Sequence, residues 1–91
     1  MAGVSYSIRL TPKAQKSVKK LDPVVARRIR RFLEERLAVA DDPRQLGRKL
    51  VSEEFWRYRV GDYRILVTID DEQILVLVID IAHRRDIYSD L

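Results

Sequence analysis

Tyr6, Ile8 and Leu10 alternate with polar residues, the period of a strand with one buried face. At Thr11 the period changes. Thr11-Pro12 offers an N-cap followed by proline at the first helical position, and Ala14, Val18 and Leu21 then recur on one helical face. Asp22-Pro23 repeats that start signal after almost no loop, with Val25, Ile29, Phe32, Leu33 and Leu37 as the apolar stripe of a second helix. Asp41-Asp42-Pro43 ends the helical region, and Arg44 to Glu54 reads as a connecting segment from which Leu46 and Leu50 touch the core.

Phe55 to Val60 and Tyr63 to Ile69 read as paired strands, because apolar and aromatic residues alternate with basic ones before Gly61-Asp62 and β-branched residues follow it. Glycine at the first central position suits a type II′ turn. A loop of Gly61-Asp62 pairs Val60 with Tyr63 and Arg59 with Arg64, and leaves Arg57 on the face of Arg59. Trp56 and Tyr58 then point the other way and pack beneath the helices. The acidic turn Asp70-Asp71-Glu72 leads into Gln73 to Ile81, whose valine and isoleucine content marks a central strand. The order β-α-α-β-β-β predicts an α+β domain of two layers: a twisted, mostly antiparallel sheet with an N-terminal helical hairpin on one face and the other face open.

Composition narrows this further. A chain of 91 residues, 46% apolar and 35% charged, is expected to form a single globular domain over residues 1–91. It contains no repeat, low-complexity tract or linker. The absence of cysteine excludes a disulfide framework and a thiolate metal site, and points to a reducing, cytoplasmic setting. No signal peptide is expected, and the longest apolar run, Ile74 to Ile79, is far too short to span a bilayer, so no membrane partner is expected.

The net charge of +4 comes mainly from arginine, whose planar fork binds phosphate and stacks on bases. That biases the partner toward nucleic acid. Lys13, Lys16, Lys19 and Lys20 share the outer face of the first helix, and Arg27, Arg28, Arg30 and Arg31 that of the second. Most of these read as the solvated side of an amphipathic hairpin, with some able to steer docking onto RNA. Arg57, Arg59 and Arg64 are different, because like charges directly opposed across strands cost a few tenths of a kcal/mol. A polyanion would supply the missing counter-charge. From the hairpin alone, a merely solvated arginine face fits equally well. Glu53 and Glu54 read as solvated loop residues, and no HExxH, P-loop, zinc spacing or GxSxG pattern occurs.

The order of elements, the hairpin WRYRVGDYRIL and the terminal HRRDIY together resemble the RelE branch of the RelE/ParE toxin superfamily, the toxin half of type II toxin–antitoxin pairs, over nearly the whole chain. The resemblance implies an endoribonuclease that enters the ribosomal A site and cuts messenger RNA within the codon, using neither metal nor other cofactor. Its implied partners are the ribosome with its mRNA, a cognate antitoxin that neutralises it, and operator DNA reached only through that antitoxin.

The family's site residues fall on Arg57 and Arg59 before the turn, on Arg64 after it, and on Arg84 with Tyr88 near the C-terminus. Well-known members carry lysine at the first two positions. Lysine can lose its proton and act as base, whereas arginine stays protonated, so Arg57 and Arg59 are assigned to binding and polarising phosphate. His83, the only histidine, directly precedes Arg84 and has the ordinary pKa for acid/base work near neutrality; its other reading is a local hydrogen bond at the end of the last strand. Tyr88 is expected to stack on a base beside the scissile phosphate or pass a proton, or else to anchor the C-terminal turn. Two further functions share the fold: a ParE-like protein that blocks DNA gyrase without cutting RNA, and an inactive toxin or pure binding module.

Overall fold

Thr11 and Asp22 cap two successive helices. Thr11 Oγ1 accepts from the Ala14 N–H at 3.1 Å, Asp22 Oδ1 accepts from the Val24 N–H at 2.9 Å, and a proline follows each cap. The computed structural model describes residues 5–50 and 54–83; the site candidates Arg84 and Tyr88, and Glu53, lie outside the described residues. Within them the chain runs β1 (Ser7–Leu10), α1 (Pro12–Lys19), α2 (Pro23–Arg31), β2 (Arg48–Lys49), β3 (Trp56–Val60), β4 (Tyr63–Asp70) and β5 (Leu75–His83). No helix among the described residues is long and apolar enough to cross a membrane.

The sheet order is β1-β5-β4-β3-β2, with β1 parallel to β5 and every other pairing antiparallel. The mixed α+β, mostly antiparallel architecture is therefore the expected one, and β5 is interior with a partner on each side. Ile29, Leu33 and Leu37 of the helical layer are buried against Tyr58, Ile65 and Val67 of the sheet. Removing such side chains from water supplies about 1.5–3 kcal/mol each.

Three details depart from the simple pattern. The second helical stripe is not one helix: α2 passes directly into a π-helical segment, Phe32–Leu37, where the Ala38 N–H donates to the Leu33 carbonyl five residues back. The expected connecting segment holds a 3₁₀ turn, Pro43–Leu46, and the extra strand β2. Two exposed basic residues carry no apolar alternation, so nothing local announces that strand. It forms because Gly47 lets the chain pass close over β3: a Cβ there would lie 2.6 Å from Tyr58 Cε1 and 2.8 Å from the Arg57 carbonyl oxygen.

The third departure is a register shift. Leu66 pairs with Asp80 but Val67 pairs with Val78, so Ile79 is the additional residue of a bulge. This explains why Val76, Val78 and Ile81 are all buried although their spacing breaks the period of two. Beside the bulge, the Asp80 carboxylate accepts from Ser17 Oγ at 3.0 Å and lies 3.5 Å from Lys13 Nζ, which ties it to α1.

Candidate nucleic-acid interface

At the hairpin turn Gly61 has φ +58° while Asp62 keeps a negative φ, the combination a type II′ turn needs. The register that follows pairs Val60 with Tyr63, Arg59 with Arg64 and Arg57 with Leu66. Tyr58 and Val60 are buried with Arg59 exposed between them, so the arginines occupy the face turned away from the helices.

Arg64 is 9% exposed. Among the described residues its guanidinium makes one hydrogen bond, a long one of 3.5 Å from Nη1 to the neighbouring Tyr63 carbonyl. Among the described residues no carboxylate lies within ion-pair distance of Arg57, Arg59 or Arg64. An ion taken out of water without a partner costs several kcal/mol. A guanidinium held this way beside a second guanidinium is a site prepared for an anion.

One further arginine joins this face. Arg48 of β2 pairs directly with Arg57, giving a second like-charge pair that periodicity could not reveal because β2 is too short to show one. The loop carrying Arg48 is held from behind. Arg44 donates to Asp71 at 2.9 Å and to Asp42 at 3.3 Å, and Tyr6 donates to Asp71 at 3.0 Å. Burial alone would lower the Arg44 pKa, but its bonds to Asp71 and Asp42 outweigh this and raise it; the bond to Asp71 likewise raises that of Tyr6. The Tyr58 hydroxyl donates to the Pro43 carbonyl at 2.7 Å, and burial pushes its pKa well above the ordinary value.

His83 is placed differently. The register sets Ala82 opposite Arg64, and His83 opposite Tyr63, so His83 falls on the helix side of the sheet. Its ring meets Tyr63 edge-on, with centroids 5.3 Å apart at 84°. The structure thus brings Arg57, Arg59 and Arg64 together and does not bring His83 onto their face.

The arginines of α2 are more than a solvated surface. A cleft of about 680 Å³ between α2 and the end of β3 is lined by Arg27, Arg28, Arg31, Arg36 and Arg59, with Val24, Phe32, Leu46 and Val60 between them. Arg28 Nη1 comes within 3.3 Å of where a side chain on Gly61 would begin. Arg31 pairs with Glu35 at 3.5 Å, both side chains being well exposed, so the cleft stays predominantly cationic.

A two-layer fold with an arginine-bearing sheet face defines the class, and the comparisons with known proteins agree. Residues 8–88 match the family described as the ParE toxin of the type II toxin–antitoxin system parDE. The chain is 33% identical over 88 residues to Toxin RelG of Mycobacterium tuberculosis, covering 91% of this chain and 95% of that one. Among solved structures it resembles the toxin–antitoxin complex RelBE2 from M. tuberculosis, with TM-score 0.82 and 30% identity over 94% of this chain and 100% of the other. The intact E. coli RelBE complex shares the fold, with TM-score 0.72 and 22% identity over 87% of this chain and 96% of that one. This chain belongs to the RelE/ParE superfamily and is the toxin of a type II toxin–antitoxin system.

Proposed function

We propose that this toxin is a ribosome-dependent endoribonuclease that cuts messenger RNA in the A site, residues 1–91 acting as one domain in the cytoplasm. The observation that carries this reading is Arg64, buried without a carboxylate partner among the described residues and directly opposite Arg59. Attack of a ribose 2′-oxygen on the adjacent phosphorus builds negative charge on the non-bridging oxygens before the 5′-oxygen leaves. Fixed guanidiniums stabilise that charge more than the ground state. Arg59 and Arg64 fill this role, with Arg57 binding phosphate beside them, and being permanently protonated they leave the removal of the 2′-proton and the protonation of the departing 5′-oxygen to other groups. Arg84 adds positive charge, and Tyr88 stacks on the base flanking the cut. Neither metal nor cofactor is required by this scheme.

Primer extension on a translated mRNA after induction tests the reading. Breaks within codons are expected for the parent protein and not for Arg64→Ala. Intact mRNA together with trapped gyrase–DNA complexes would instead establish the second reading, gyrase inhibition, which the match to the ParE description favours.

The cognate antitoxin is the partner that controls the toxin, and operator DNA is reached through it. Solved relatives of this fold are complexes of RelE with RelB. The cleft at α2 suits an acidic amphipathic antitoxin segment: five arginines line it, and Val24 and Leu46 beside them are 62% and 37% exposed. Acidic side chains would meet the guanidiniums while an apolar stripe covers Val24, Phe32 and Leu46.

A further inference from the structure

We propose that Arg48 and Arg57 form a second phosphate subsite, which holds the phosphate next to the scissile one in a single-stranded RNA. The proposal rests on the RNA-cleaving reading and deepens it.

Two like-charge pairs, Arg48 with Arg57 and Arg59 with Arg64, stand side by side on one sheet face. Arg57 and Arg59 are two residues apart along β3, about 6.8 Å at the rise of an antiparallel strand. That separation is comparable with the step between neighbouring phosphates of an extended strand. One phosphate on each pair would bridge its two guanidiniums and relieve the repulsion between them, where a single phosphate could serve only one pair.

No protein carboxylate does this among the described residues. The acid nearest in register is Asp80, opposite Leu66, which is itself opposite Arg57; its carboxylate is taken up by Ser17 and Lys13. Lys49 pairs with Trp56 and so alternates to the other face. Arg48 is exposed whereas Arg64 is buried, which separates their roles. Arg64 acts on charge that develops during reaction, and Arg48 is a positioning residue that binds an existing phosphate. β2 can hold Arg48 in place because Gly47 seats the chain against Tyr58 and the Leu50 N–H donates to the Phe55 carbonyl at 3.0 Å.

The test uses the full chain and a fluorescent RNA oligonucleotide made uncuttable by a 2′-deoxy nucleotide at the cleavage position, with binding followed by anisotropy. Arg48→Gln should weaken binding several-fold and reduce the slope of log K against log salt by about 0.7, the value for one phosphate contact on a single strand. Replacing the neighbouring linkage with a neutral methylphosphonate should weaken the parent similarly and leave Arg48→Gln unaffected. Arg48→Lys, which keeps the charge, should recover most of the loss. On programmed ribosomes Arg48→Gln should raise KM several-fold with kcat unchanged.

Equal sensitivity of parent and Arg48→Gln to the neutral linkage, or no binding by the parent at low salt, overturns the subsite. Linkage-dependent binding by a parent protein that cuts no translated mRNA overturns the nuclease reading and leaves the subsite standing.

Discussion

Arg59 and Arg64 face one another in direct register across the β3–β4 hairpin, and Arg64 is 9% exposed. Two cations in that position repel, and one of them has given up most of its water. What keeps them there is the other side of the same strands, where Tyr58 and Ile65, also a registered pair, are 1% and 0% exposed. Apolar burial on one face thus holds an electrostatically unfavourable arrangement on the other, and binding an anion relieves it.

Replacing Arg64 should therefore move activity and stability in opposite directions. Arg64→Ala is expected to raise the cleavage barrier by about 2–4 kcal/mol, measured as a single-turnover rate. Arg64→Leu, which keeps an apolar side chain there without a charge, should raise the unfolding free energy measured in urea by about 1–4 kcal/mol if relief is complete. Cleavage by Arg64→Ala at the parent's rate would remove this residue from the mechanism.

Gly47→Ala should unseat β2. The new methyl group would overlap the Tyr58 ring and the Arg57 carbonyl, at a cost of about 1–3 kcal/mol in thermal or urea unfolding. RNA binding should weaken as well, because Arg48 and Arg57 lose their alignment. A stable Gly47→Ala protein with unchanged binding would show that β2 does not position the arginines.

Alkaline pH should destabilise the protein through Tyr58. Its ordinary pKa is 10.0 and burial raises it in the folded state, so above that value the unfolded chain releases a proton that the native state retains. The stabilisation is complete below pH 10.0 and is lost as pH rises toward the folded-state value, with a slope approaching about 1.4 kcal/mol per pH unit. Tyr58→Phe loses the bond to Pro43, at a cost of about 0.5–1.5 kcal/mol near neutrality. It should show a shallower alkaline decline than the parent, and parallel stability curves for the two proteins would exclude Tyr58 as the source.

His83→Gln should leave the pH–rate profile between about pH 5 and 8 unchanged. The reason is geometric: its ring packs on Tyr63, on the side of the sheet away from Arg59 and Arg64. Flattening of the profile in His83→Gln would restore histidine as the acid or base.

The sequence by itself determined every feature whose cause is local. Thr11-Pro12 and Asp22-Pro23 start the helices because the caps are made within one turn. Gly61 sets the hairpin register because only glycine enters that turn without strain, and the register places Arg57, Arg59 and Arg64 on one face. Tertiary structure decided what depends on distant neighbours. β2 exists because Gly47 passes over Tyr58, and the α2 arginines line a cleft because the hairpin turn ends beside Arg28. The side taken by His83 was decided in the same way. Unbroken alternation from Val76 and Val78 would carry it to the arginine face, but the bulge at Ile79 reverses the parity of the rest of β5, up to His83. One residue in a strand changes faces when a partner strand accepts an extra one, and that choice is made by the packing of Ile81 into the core, not by the residues on either side of it.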